Sequence, residues 1–401
     1  MVSTKKNIVS QMPQINPEGV CGCFITCPAK RGLLRKAEGG MRLQGRYKTS
    51  RLANPLVSII TVVFNRVHTL ERAIKSVLRQ TYDNIEYIII DGGSMDGTVE
   101  TIEKYRDLVD YYVSESDDGI YDAINKGLSL ASGDYIGILN SDDWYSTDAV
   151  KVSVNAILRS KADYSGADEF LVDESGAIVK NYGIYNFNDA ALFSLNPCNH
   201  GTMFISKKVY DEMGLYDTSL RIAADLKYQL AMISRGYKAA VIRRPIHYYE
   251  LSGISCKDQK AAVHEVKKIL SGIHSGLNGD EIEIIVRLRY YDELSPAALT
   301  LIEKIIKGDA YNQNQKNYLV KRVLEICRNQ LLALQSNQGI LPDKPESLSI
   351  RTLLFLLFIA VKRKLSKILK YTAFFRPAKR MYSLIRHFPM KYKIHRQKAE
   401  R

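Results

Sequence analysis

The sequence predicts an α/β domain between about Pro55 and Ser255, with a mixed, mostly parallel sheet flanked by helices. Three observations point there. β-Branched apolar runs alternate with amphipathic helical stretches from Val57 to Leu139, the pattern of βαβ units. Acidic residues stand where several predicted strands end, at Asp91, Glu115, Asp142 and Asp143, and ligands of parallel sheets bind at the carboxyl ends of strands. The 401 residues are 46% apolar and 25% charged, enough for a sizeable core.

The run Val57–Phe64 reads as a buried parallel strand. Thr69–Gln80 follows as a helix with Leu70, Ile74, Val77 and Leu78 on one face. Ile85–Ile90 is a second buried strand, Thr98–Arg106 a helix, Tyr111–Val113 a short strand, Tyr121–Leu130 a helix and Tyr135–Leu139 a further strand. Beyond Ala149 the pattern mixes. Val150–Leu158 is helical, Tyr164–Val172 and Ala177–Tyr182 are antiparallel strands, Val209–Met213 and Asp225–Ser234 are helices, and Ala239–Ile242 is a strand. Residues 256–348 form a helical region. Residues 1–54 have no sustained period and read as a weakly ordered basic extension, with order beginning at Pro55.

The net charge of +14 sits at the ends. Residues 1–54 carry +8, residues 362–401 carry +13, and residues 55–361 carry −7. A basic core would point to nucleic acid; basic ends on an acidic core point to an anionic membrane surface, and no nucleic acid is expected. Residues 349–401 are a basic tail. Within 350–387, Leu353, Leu354, Leu356, Leu357, Ile359 and Val361 precede Lys362, Arg363, Lys364, Lys367 and Lys370, a composition suited to a helix lying in the headgroup layer or packed on the protein's own surface. The longest apolar run, Leu353–Val361, is about half of the roughly 20 residues a spanning helix needs. No apolar segment follows Lys5 and Lys6, so no secretory signal is expected. Cys21, Cys23, Cys27, Cys198, Cys256 and Cys327 form no disulfide framework and read as free thiols. The expected location is the cytoplasm, peripheral on the inner membrane face.

Two motifs carry chemistry. Asp142 and Asp143 are adjacent carboxylates on a turn after a buried strand, comfortable only with water or a cation between them. Such hard oxygen ligands suit Mg²⁺ or Mn²⁺, which bind through one or two carboxylates plus substrate phosphates. The segment Asp91-Gly-Gly-Ser-Met-Asp-Gly-Thr98 follows a strand and opens a helix, so its backbone can approach a phosphate or a polar ring closely. It is neither a dinucleotide fingerprint nor a P-loop. On residues alone a nucleotidyltransferase, or a sugar-nucleotide-binding protein with little catalysis, stays open beside a transferase.

The stretches Pro55–Asn65, Asp91–Thr98, Asp118-Gly-Ile-Tyr-Asp-Ala-Ile-Asn-Lys-Gly127 and Gly133-Asp-Tyr-Ile-Gly-Ile-Leu-Asn-Ser-Asp-Asp-Trp144 together resemble family 2 glycosyltransferases of the GT-A fold. The closest likeness is to bacterial enzymes that build O-antigen, capsule and colanic-acid-type exopolysaccharides. His200–Phe204, Ala223–Asp225 and Gly253–Ser255 extend the likeness more loosely. The resemblance implies inverting transfer of a sugar from a nucleoside-diphosphate sugar, usually of uridine, to a hydroxyl of a glycan or lipid-linked oligosaccharide. It implies that Thr61, Phe64 and Asn65 line the nucleotide pocket, that Asp91 bonds the base with Asp96 beside it, and that Asp117 or Asp118, with Asn125, lies near nucleotide and donor sugar. Asp142 stands for the last acid of the family's Asp-x-Asp metal motif. Asn140 replaces the first acid, and Asp143 is the available compensation. Asp225, at a helix start, stands for the general base, and Asp217 reads as a structural turn. His200, His247 and Ser255 fall on the acceptor side or on a loop that closes over the diphosphate.

Overall fold

The computed structural model describes residues 8–9, 35–183, 191–194, 197–253, 258–274 and 276–336. The chain divides into two compact units, Met1–Ile282 and Glu283–Arg401. In the first, strands β1 (Ile8–Val9), β2 (Arg35–Gly39) and β3 (Tyr47–Lys48) precede the expected core. Then come β4 (Val57–Val63), α1 (Val67–Leu78), β5 (Ile85–Asp91), α2 (Thr98–Glu103), β6 (Tyr111–Glu115), α3 (Ile120–Leu130) and β7 (Tyr135–Asn140). After them lie β8 (Trp144–Tyr145), α4 (Ala149–Ser160), β9 (Tyr164–Val172), β10 (Ile178–Tyr182), α5 (Ala191–Ser194), β11 (Phe204–Ser206), α6 (Lys207–Met213), α7 (Ala224–Ser234), β12 (Ala239–Glu250) and α8 (Gln259–Ile273).

The main sheet runs β2-β6-β5-β4-β7-β11-β9-β12-β8, with β10 beside β9. β6, β5, β4 and β7 form a parallel block. β4 and β5 are buried at every position because helices cover both faces, which is why they read as unbroken apolar runs. α1 buries Leu70, Ala73, Ile74 and Val77, a stripe at helical spacing. The register aligns the strand ends: Val63 faces Asp91, Asp91 faces Ser114, and Val62 faces Asn140. The loops that leave β4, β5, β6 and β7 therefore stand in one row.

The antiparallel half brings distant chain to the same edge. β11 pairs with β7, Phe204 opposite Gly137, so the 3₁₀ turn His200–Thr202 just before it lies beside the end of β7. β12 pairs with β8, His247 opposite Tyr145. β12 continues well past the expected Ala239–Ile242 to Glu250. Arg243, Arg244 and Pro245 break the apolar pattern there, and the register with β9 shifts on either side of Pro245.

The expected boundary at Pro55 is corrected. β2 pairs antiparallel with β6 and extends the sheet. Met41 is buried, Arg42 forms an ion pair with buried Glu86, and Lys48 pairs with buried Asp110 at 2.7 Å. Two cations from residues 35–54 thus neutralise two core acids, an arrangement with no hydrophobic period to announce it.

In the second unit, α9 (Gly279–Tyr290, whose first residues belong to the first unit), α10 (Pro296–Lys307) and α11 (Gln313–Ser336) supply the expected helices. Ser295 caps α10, Pro296 begins it, and Leu299, Ile302, Ile305 and Ile306 form its buried face. Among the described residues no helix is long and apolar enough to cross a membrane. The basic tail 349–401, Cys21, Cys23, Cys27 and Ser255 lie outside the described residues.

Candidate functional site

At the β4–β5–β6 end of the row, backbone and side chains interlock. Asp91 is fully buried, and its carboxylate accepts from Gly93 N–H (3.0 Å), Ser94 N–H (2.9 Å), the Ser114 hydroxyl (2.6 Å) and the Ser94 hydroxyl. Asp91 therefore shapes its own loop, and no oxygen is turned outward to a base as the resemblance implied. Asp96 accepts from Thr98 and from Val67 N–H, tying the loop to the start of α1. Burial pushes the Asp96 carboxyl up, but these donors outweigh it and hold it below its ordinary value. Asn65 adopts a left-handed conformation (φ 51°), donates its N–H to Ser94 Oγ (2.7 Å) and accepts from Met95 N–H (2.9 Å).

Phe64 and Asp117 stay accessible on either side of Gly92. Phe64 is 58% exposed at the end of β4. Gly92 separates it from Asp117: a Cβ there would come 2.6 Å from Asp117 Oδ2 and 3.3 Å from the Phe64 ring. Burial raises the Asp117 carboxyl, although Gly119 N–H donates to it at 3.0 Å. Asp118 is exposed, its N–H donating to Asp122. Two expected contacts are corrected. Thr61 is fully buried in β4, its hydroxyl accepting from Tyr87 (3.1 Å). Asn125 spends both ends of its amide on the backbone of Tyr216, at 2.9 Å each, and so holds a loop.

On the turn after β7 the two acids part ways. Asp143 is 1% exposed, accepts from Glu250 N–H (2.9 Å) and Asn140 Nδ2 (3.3 Å), and lies 3.5 Å from His247 Nε2. The expected role of Asp143 as a metal ligand is corrected, because its oxygens point into β12. His247 is fully buried between Asp143 and Glu169 (3.1 Å from Nδ1). Burial lowers the imidazole pKa, but the two carboxylates outweigh that and raise it to about 9. His247 is thus an internal counter-cation, not an acceptor-side contact. Asp142 keeps a partly exposed carboxylate, 4.0 Å from Arg66 Nε. Burial and the Asp143 charge raise its pKa to about 6, the signature of an anion short of positive charge. Gly253 packs beside it. The Asn140 amide oxygen is buried with no hydrogen-bond partner among the described residues.

Asp225 stands in the first turn of α7. One carboxylate oxygen accepts from the Tyr121 hydroxyl (2.9 Å), and the other meets His200 Nδ1 at 3.0 Å. Burial pushes this carboxyl up, yet His200 and Tyr121 hold it below its ordinary value, so it is ionised at neutral pH. Burial likewise opposes protonation of His200, and Asp225 reverses that shift upward. His200 Nε2 is buried with no hydrogen-bond partner among the described residues, and His200 lines a cavity of about 10 Å³ with Ile138, Met203, Tyr216, Tyr228 and Gln229. The neighbouring Gly201 abuts the His247 imidazole, where a Cβ would come 2.6 Å from Nε2. One 3₁₀ turn thus joins the Asp225 side to the Asp143 side. Asp217, read as a turn residue, accepts from Ser219 N–H and Lys227 and reaches neither group.

The model of the family described as glycosyl transferase family 2 matches residues 58–214. An uncharacterized glycosyltransferase of Mycobacterium tuberculosis is 30% identical over 228 residues, 55% of this chain and 84% of the relative. The chain belongs to glycosyl transferase family 2. An uncharacterized glycosyltransferase of Haemophilus influenzae is 23% identical over 301 residues, 68% of this chain and 92% of that protein. Among solved structures, S. aureus TarS 1-349 aligns with a TM-score of 0.46 at 14% identity, covering 73% of this chain and 94% of that one.

This glycosyltransferase carries its motif stretches at the ends of β4, β5, β6 and β7 of a mixed, mostly parallel sheet. Three supporting residues escaped the sequence reading. Arg72 pairs with Glu250, donates to the Asp142 carbonyl (2.9 Å) and lies 3.7 Å over the Trp144 ring. Trp144 in turn stacks on Tyr248 at 5.0 Å. Tyr121 sat inside a recognised motif, but its partner lies 104 residues away. Only a contact map gives such pairs.

Proposed function

We propose that the enzyme transfers a sugar, with inversion, from a nucleoside-diphosphate sugar to a hydroxyl of a glycan or lipid-linked acceptor in bacterial surface-polysaccharide synthesis. The observation that carries this is Asp225: an ionised carboxylate gripped by Tyr121 and His200, on the edge that also presents Asp142. The acceptor oxygen attacks the anomeric carbon from the face opposite the diphosphate. Its proton passes to Asp225 as the bond to the leaving phosphate oxygen breaks. Phe64 and Asp117 flank the slot proposed for the base, which is uracil by family habit.

A divalent cation fits the residues of the acidic turn. Asp142, with the orphan amide oxygen of Asn140, would hold Mg²⁺ or Mn²⁺, with the donor phosphates and water completing the shell. When bound, the ion supplies positive charge for the departing diphosphate. The +13 carried by residues 362–401 supports peripheral binding to the anionic inner leaflet.

The test is Asp225→Asn. Release of nucleoside diphosphate falls by about 10²- to 10⁴-fold, the usual worth of a general base, while the thermal midpoint holds. Turnover at the wild-type rate by that variant removes Asp225 from the role.

A further inference from the structure

Immediately before Asp225, three consecutive backbone N–H groups, of Arg221, Ile222 and Ala223, point at one carboxylate. Glu265, on α8, accepts all three, at 2.7, 2.9 and 2.9 Å. α7 has Ala223 at its N-cap, with no side-chain hydrogen bond of its own. A chain segment whose donors lack a local acceptor is free to turn its peptide planes, and an anion bound by successive N–H groups removes that freedom. The same segment is held from its other side. The Tyr121 hydroxyl shares its one proton between the Ile222 carbonyl (2.7 Å) and the Asp225 carboxylate (2.9 Å). Glu265 and Tyr121 thus clamp one three-residue stretch from its donor and acceptor sides, and Asp225 is the next residue but one.

We propose that Glu265 is a positioning residue for the base, setting the backbone from which the Asp225 carboxylate is aimed. It lies on a helix beyond the segment that matches the family model and touches none of the groups assigned to donor or acceptor. The inference rests on the reading of Asp225 as the base. A base must sit within hydrogen-bond reach of the acceptor oxygen, and a displacement of about 1 Å costs on the order of 10²-fold. Loss of Glu265 therefore lowers turnover without touching donor affinity.

The experiment uses the full chain, with a panel of uridine and guanosine diphosphate sugars and with water as the acceptor, scored by nucleoside diphosphate release. Glu265→Ala lowers kcat about 10- to 100-fold, leaves KM for the donor and Kd for the free nucleoside diphosphate within about twofold, and speeds amide exchange in residues 220–226. Glu265→Gln keeps an acceptor oxygen for the N–H groups of Ile222 and Ala223, which share one carboxylate oxygen, but turns its amide NH2 toward Arg221 N–H; it restores part of kcat and guards against a folding defect in the alanine variant. In the Asp225→Asn background, Glu265→Ala adds no further loss. Wild-type kcat in Glu265→Ala while Asp225→Asn is inactive overturns the role of Glu265 alone. An active Asp225→Asn variant overturns the base reading instead. A Glu265→Ala defect shared equally by kcat and donor Kd, or one that persists undiminished in the Asp225→Asn background, marks a general structural role and overturns the proposal.

Discussion

The end of β5 and the turn after β7, on either side of β4, both present two acids, and they use them differently. In the first, Asp91 and Asp96 are consumed by nearby N–H and hydroxyl donors, five of them within three residues of the acid. In the second, Asp143 is consumed by β12, about a hundred residues away, and Asp142 is left with a raised pKa. A carboxylate saturated with donors builds a shape. One crowded by another negative charge and short of donors is ready for a cation. The difference lies in the partners, not in the residue type.

The contrast is tested most strongly at its reactive end. Asp142→Asn should lower turnover by about a thousandfold, several kcal/mol of stabilisation of the leaving diphosphate, and abolish the rise in melting temperature expected of the wild type on adding Mn²⁺. In the wild type the same group protonates near pH 6, so the Mn²⁺-induced stabilisation should fade as pH drops through that value. A Mn²⁺ response unchanged in the variant would end the assignment.

Asp91→Asn should act on shape, costing about 1–3 kcal/mol in chemical denaturation because buried donors lose their acceptor. Donor affinity should fall with it and turnover at saturation should not. A variant as stable as the wild type that fails only to bind nucleotide would restore the direct contact with the base.

His247 sharpens the comparison by pH. Its folded pKa, about 9, lies above the unfolded value near 6.5. Its stabilisation is therefore complete below about pH 6.5 and lost as pH rises through 9. Urea denaturation across pH 6–10 should show this slope in the wild type and not in His247→Gln. The smallest effect is expected of Asn140→Asp. The restored acid adds charge toward a metal but replaces the Nδ2 contact to Asp143 with repulsion, so Mn²⁺ affinity should change by less than about tenfold. A hundredfold gain would mean that the asparagine is what weakens the site.

Much of the frame was legible along the chain. The buried strands and amphipathic helices from Val57 to Leu139 follow from period and β-branching, because burial on both faces leaves no alternative pattern. The site divided by the range of its contacts. Asp142 and Asp225 were readable as motif positions, whereas Thr61 and Asn125 misled, since a motif places a residue near a strand end without saying which way its side chain turns.

By itself the sequence determined the alternation of strand and helix, the row of acids at strand ends, the family, and the concentration of positive charge at both termini. All of these depend on residues near one another in the chain. Only the tertiary structure decided that Arg42 and Lys48 belong to the core, that Asp143 serves His247 and Glu250, and that Glu265 braces the segment before Asp225. Charge and hydrogen bonding act over a few ångströms of space, and what lies within that distance is set by how the chain returns on itself.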